Sequence, residues 1–279
     1  MIEIAVKLDI DELIRKALQA EDKRARDILV RRFGLKTPEK YTLASLGDEY
    51  GLTRERVRQI EAATLKSVRN RIIEEEEVIA FLKLVENYLE GVANLRRSDL
   101  LARDFAMLSG YEDGYHTVFE NKLVFLAKAL GNPYIVDETQ DMYTVWHNDK
   151  EVHGKAKDFV DSLINSEKHD FDHVLRQIIK EHELPESTIL NYLSISKNFG
   201  IGPYGHLGAD HWVHINPKTV KDMAYLVLLQ NSDPMHFREI AEEVNKMSDK
   251  KRAHATVHNE LIRDDRFKLF GRGTYSLNE

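Results

Sequence analysis

Residues 54–59 read Arg-Glu-Arg-Val-Arg-Gln and bring guanidinium, carboxylate and carboxamide groups together in a few positions. These groups do recognition chemistry rather than bond making. Arginine pairs bidentately with guanine, glutamine pairs with adenine, and a carboxylate accepts from the amino group of cytosine. Phosphates repel a glutamate, so its place among arginines favours reading of base edges over a nonspecific grip. At roughly 100° per residue, Arg54, Glu55, Arg58 and Gln59 share one side of a helix. Val57, Ile60, Thr64 and Val68 fall on the opposite stripe. Arg56, Lys66, Arg69 and Arg71 lie to the sides or further along, where phosphates would run. The plain alternative is a solvated helix laced with local ion pairs. The cap, the glycine turn and the helix before it argue against that.

Other clusters carry less chemistry. His206, His211 and His214, beside Asp210, could suggest a metal centre, but there is no cysteine and no helical HExxH frame. They are expected on the surface of a β wing or in hydrogen bonds. Asp161, Glu167, Asp170 and Asp172 read as a solvated acidic face. Lys250, Lys251 and Arg252 are either phosphate contacts or an exposed basic loop. Trp146, Trp212, Tyr204 and Tyr275 fall in or near expected strands, where packing is their ordinary role. No phosphate-binding loop, paired-glycine dinucleotide loop or nucleophile elbow occurs. GIGPYGHLG lacks the following helix and lysine of a phosphate loop. The expectation is a chain with no enzymatic activity, no catalytic residue, no cofactor and no metal.

Composition narrows the class. The chain has 279 residues, 42% of them hydrophobic, enough for two to four compact domains. No apolar run approaches the ~18 residues of a membrane span. The start, MIEIAVKLDIDELIRK, lacks the layout of a signal peptide. The absence of cysteine excludes disulfides and suits a reducing cytoplasm, with nucleoid association the expected location. The formal charge is −7, yet residues 21–72 hold 13 Lys and Arg against 8 Asp and Glu, a net of +5 that leaves −12 for the rest. Screening cuts charge attraction off within about 8 Å, so the local sign decides the partner.

Several elements must position the reading residues. Ile10, Leu13, Ile14, Leu18, Ile28, Leu29 and Phe33 predict one helix over 10–33, ended by Gly34. ASLGDEY is a short helix capped by Thr42 and ended by Gly51, and Thr53 caps the next helix. A short helix, a glycine turn and a longer helix make a helix-turn-helix. The acidic run EEEEVIAF reads as a boundary. Beyond it one pattern recurs three times: helices followed by a pair of short strands bearing aromatics. It is clearest in the last copy and weakest in the first. The fold class read here is mainly α, a helix-turn-helix followed by two or three winged-helix modules with short β wings. The expected division is residues 1–76, 77–150, 151–218 and 219–279.

Two stretches resemble known families. RARDILVRRFGL with TLASLGDEYGLTRERVRQIEAATLKSVRN resembles region four of the primary bacterial sigma factors, over roughly residues 10–72. That resemblance implies recognition of a −35 promoter element in double-stranded DNA and docking on the β flap of RNA polymerase. It implies base reading by Arg54, Glu55, Arg58 and Gln59. It places Arg24, Arg32 and Thr42 near the DNA backbone, with Thr53, Arg56 and Lys66 as further backbone candidates. Nothing in the sequence resembles the family's promoter-melting region. DPMHFREIAEEVNKM with ATVHNELIRDDRFKLFGRGTYSL resembles the HARE-HTH winged-helix domain, over roughly residues 220–277. In that family the module is a DNA- or protein-binding adaptor. A polymerase-associated adaptor with secondary DNA contact, and a nucleic-acid-processing enzyme with its catalytic part in 80–215, stay open as alternatives.

Overall fold

The computed structural model describes residues 9–108, 116–165, 176, 179–180 and 185–278. They form two compact units, one running to residue 161 and taking in 179–196, the other holding 162–165 and 197–278. Glu167, Asp170 and Asp172 lie outside the described residues.

The first unit opens with α1 (Ile10–Leu18), α2 (Lys23–Phe33), α3 (Leu43–Tyr50) and α4 (Arg54–Ile72). The single helix expected over 10–33 is therefore two. Asp22 breaks it: its carboxylate accepts from the backbone of Arg24 and Ala25 and starts α2 afresh. Arg26 closes the other side by donating to the carbonyls of Gln19 and Glu21, both at 3.0 Å. Local capping satisfies groups that a continuous helix would have paired internally.

Next come α5 (Glu76–Gly91), β1 (Leu95–Arg97), α6 (Ser98–Leu108), α7 (Thr117–Leu130), β2 (Tyr134–Val136) and β3 (Val145–His147). The strands form an antiparallel sheet in the order β1-β3-β2. Trp146 is fully buried in it, its indole N–H donating to Ser98 Oγ at 3.1 Å. One continuous core takes side chains from α1, α2, α4, α5, α6 and α7. Helix α7 is its spine, with nine of fourteen positions buried, and Phe125 meets Phe33 of α2 edge to face. Glu74–Glu77 are exposed, while Val78 and Phe81 just behind them enter this same core. Helix α8 (Lys150–Ile164) begins in this unit, and α9 (Glu186–Ser194) anchors to it. The Asn191 amide of α9 donates to the carbonyls of Val92, at 2.6 Å, and Leu95.

In the second unit β4 (Phe199–Ile201) pairs antiparallel with β5 (Leu207–Ala209) beside the buried Trp212. Then follow α10 (Val220–Asn231), β6 (Met235–His236), α11 (Phe237–Met247), α12 (His254–Arg263), β7 (Phe267–Gly271) and β8 (Thr274–Leu277). Their sheet order is β6-β8-β7, the plan of β1-β3-β2 again. The first and last copies are thus winged-helix modules of one topology, although the first has the weakest pattern. Each has a strand between its first and second helices, where the sequence pattern shows only helices followed by a pair of strands. Strands of two or three residues are too short to show an alternation.

Candidate nucleic-acid interface

The helix-turn-helix has its own small core of Ile28, Leu46 and Val57, with Leu43, Tyr50, Leu52 and Ile60 around it. Thr42 Oγ1 accepts from the Ser45 backbone at 3.0 Å and starts α3. Thr53 Oγ1 accepts from the Arg56 backbone at 3.1 Å and starts α4. Between them Gly51 has φ +65°, a left-handed conformation that glycine adopts without steric cost. Gly47 makes the closest approach: a Cβ there would lie 2.6 Å from the Leu52 carbonyl oxygen. The Gly47 carbonyl also accepts from the Leu52 backbone at 2.8 Å. Helix α2 is pinned to α3 by Arg31, which donates to both carboxylate oxygens of Glu49 at 2.5 Å and lies 4.2 Å from the Tyr41 ring centroid.

On this frame Arg54, Glu55, Arg58 and Gln59 are all exposed along the first two turns of α4, while Val57, Thr64 and Val68 are buried behind them. Hydrogen bonds link three of the four. Arg58 donates to both oxygens of Glu55 at 2.8 Å, and Gln59 donates to Glu55 at 3.4 Å. Arg56 donates to the Gln59 carboxamide oxygen at 3.2 Å. The Arg58 guanidinium holds the Glu55 carboxyl below its ordinary range, and Glu55 in turn raises Arg58. The face is charged and ordered, yet open to solvent, so a ligand can exchange these bonds for its own.

The backbone candidates divide. Arg24 is exposed, 6.0 Å from the Tyr50 ring centroid, and Lys66 and Arg56 are exposed as well. Thr42 and Thr53 are exposed, with their hydroxyls engaged as caps. Arg32 is half-buried and occupied, donating to Glu61 and to the Tyr41 carbonyl, both at 3.3 Å. Arg71, read as a side or distal phosphate contact, instead turns inward: it donates to the Ala17 carbonyl at 2.6 Å and to Glu21 at 2.7 Å. Both residues hold the domain together. Positions that sequence reasoning missed include Gly47, whose signal is a glycine inside a helix, and Asn121. Asn121 is buried on α7 and donates to the Gly34 carbonyl at 3.1 Å. A single amide in an apolar helix was the available clue.

Of the other clusters, Asp210 accepts from the Asn216 amide at 2.9 and 3.0 Å, and His211 and His214 lie beside the Trp212 ring. Among the described residues no group of three or more His, Cys, Asp or Glu is placed to hold a metal ion. Trp146, Trp212 and Tyr275 are buried, and Tyr204 is partly exposed. Lys250, Lys251 and Arg252 are exposed before α12, with the Lys251 ammonium on the Asn245 carbonyl at 2.6 Å. No described helix is long and apolar enough to cross a membrane.

A capped short helix, a glycine turn and an exposed polar face on the second helix define a helix-turn-helix of the DNA-binding kind, here joined to winged-helix modules. Comparison with known proteins agrees at both ends. Residues 17–70 match the family model described as Sigma-70, region 4. Residues 218–279 match the HARE-HTH model, a helix-turn-helix domain named in part for ASXL and restriction endonuclease. The RNA polymerase sigma factor RpoS of Coxiella burnetii is 44% identical over 71 residues, covering 25% of this chain. The chain spans only 20% of that relative's length.

Proposed function

We propose that this chain is a sigma-like, sequence-specific transcription factor of bacterial type that binds duplex DNA resembling a −35 element. Arg54, Glu55, Arg58 and Gln59 read base edges in the major groove. Arg24, Arg56 and Lys66 contact phosphates, with Thr42, Thr53 and Arg32 ordering the helix ends beside them. The observation that carries the reading is the polar, ion-paired and exposed face of α4, set against a buried opposite stripe. No chemical step and no promoter melting is assigned to it, and it acts in the cytoplasm at the nucleoid. The test is enrichment from a randomised duplex library, followed by titration of the enriched duplex. Arg58→Ala should cost about 1–3 kcal/mol of specific affinity and change binding to unrelated duplex little. Failure to enrich any sequence refutes the reading.

Association with RNA polymerase at the β flap belongs to the same proposal. The apolar side of α1, α2 and α4 is already covered by α7, so polymerase would have to engage other surfaces or displace α7. The acidic remainder of the chain and the C-terminal match favour a second reading, a polymerase-associated adaptor with DNA contact secondary. Copurification with polymerase that survives Arg54→Ala and Arg58→Ala, without sequence selection, decides for it. The four segments 1–76, 77–150, 151–218 and 219–279 are proposed as the functional divisions.

A further inference from the structure

The first unit has a second basic surface in which α4 takes no part. Lys23, Arg24 and Arg26 project from α2 and, with Lys36, rim two adjoining hollows of ≈ 650 and ≈ 530 Å³ that share Arg26, Val30 and Lys36. Together they form a trough along α2. The half-buried valines Val30 and Val118 lie in its wall. The acidic residues lining it, Asp11 and Asp27, are both engaged: Asp11 pairs with Lys122, and Asp27 accepts from the Tyr50 hydroxyl. Lys23 and Lys36 are exposed and have no partner among the described residues. The trough is therefore locally positive in a chain of net charge −7.

A concave surface with cations on its rim and aliphatic groups in its wall fits a convex, amphipathic, negatively charged body. A helix with an apolar stripe flanked by carboxylates has that shape and charge. A duplex would set phosphates against the rim but offers nothing for the aliphatic wall. We propose that this trough docks an acidic amphipathic helix of a partner protein, about three turns long to match α2. Carboxylates would pair with Lys23 and Lys36, and the apolar stripe would cover Val30 and Val118. The inference does not depend on base reading by α4.

The test uses the full chain and a labelled helical peptide of about 18 residues, with leucines at helical spacing and glutamates flanking them. A control peptide carries lysine at every glutamate, and a random-sequence duplex serves as competitor. The acidic peptide should bind about tenfold tighter than the basic one. The Lys23→Glu/Lys36→Glu double variant should lose about tenfold in affinity with an unchanged unfolding midpoint, because both side chains are exposed and a carboxylate is favourable in the first turn of α2. In an Arg24→Ala background, which removes the one rim cation also proposed to contact phosphate, duplex should not displace the peptide. No binding of the acidic peptide, equal binding of the two peptides, indifference to the double substitution, or displacement by duplex in that background would each overturn the proposal.

Discussion

Gly47→Ala separates two physical expectations of opposite sign. Gly47 lies inside α3, and replacing glycine by alanine within a helix ordinarily stabilises by about 1 kcal/mol. Here the new methyl carbon would sit 2.6 Å from the Leu52 carbonyl oxygen and 3.4 Å from the Arg54 backbone nitrogen. Ordinary contact begins at 3.4 Å, so the Leu52 carbonyl would have to retreat by about 0.8 Å. Overpacking of this kind costs about 1–3 kcal/mol, and weakening of the Leu52–Gly47 backbone bond adds about 1 kcal/mol. The propensity gain offsets about 1 kcal/mol of this, leaving a net loss of about 1–3 kcal/mol. The shift falls two residues before α4, so it should also misplace the face proposed to read bases. Gly51→Ala is the control: it meets nothing within 4 Å and suffers only its left-handed φ of +65°, at about 1–2 kcal/mol. Urea unfolding and titration of a selected duplex measure both variants. The expected result is that Gly47→Ala loses affinity beyond what Gly51→Ala loses at similar stability. A Gly47→Ala protein as stable as the parent, with affinity intact, would refute the claim that the turn is held by this contact.

Three further outcomes follow from the packing around the interface. Asn121→Ala leaves the Gly34 carbonyl without its side-chain donor and should destabilise by about 1–3 kcal/mol in chemical denaturation. Burial holds the imidazoles of His147 and His153 below the ordinary range, and for His153 the neighbouring His147 and Lys157 add to it. The unfolded chain then takes up these protons before the folded one, so stability is full above the unfolded value near 6.5 and falls as pH drops from there towards the lowered folded values. The urea midpoint should be lower at about pH 5 than at about pH 7.5, and His153→Phe should flatten that slope. Phe125→Ala should cost about 3–5 kcal/mol and lower the melting of the helix-turn-helix and of Trp146 together, since one core joins them. In a Trp212→Phe background, indole fluorescence and hydrogen exchange of the α3 and α4 amides should give one midpoint, and separate midpoints would contradict the shared core.

What could be read in the sequence followed from strong local rules. Thr42, Gly51 and Thr53 each have one conformational task, and the structure gives each of them that task. The polar face of α4 was legible because its apolar partners recur at helical spacing. The intramolecular partners of Arg32 and Arg71 were not legible because they cannot be counted along a sequence: the acceptors, Glu61, Tyr41, Ala17 and Glu21, come from separate turns or helices. The break at Asp22 was hidden by apolar spacing that continues across it. The merging of the first four helices with α5–α7 into one core was hidden too, since the acidic Glu74–Glu77 resembles a linker and only the tertiary structure shows Val78 and Phe81 turning inward.

The two modules of identical sheet order use their third helices in opposite ways. In α7 nine of fourteen residues are buried, and the run TVFENKLVFLAKAL is apolar on nearly every side. Such a helix belongs inside a protein. In α12 only Val257 and Leu261 are buried, and the rest of its surface is polar or exposed. A helix that must enter a groove cannot also be the spine of a core, so α7 is excluded as a reader of DNA despite its place in the fold. Its burial does bear on DNA recognition indirectly, because Asn121 and Phe125 hold the end of α2, and α2 supports the turn that aims α4. Topology therefore does not assign function here. One copy of the winged-helix plan supports the helix proposed to read DNA, and another keeps its own third helix open.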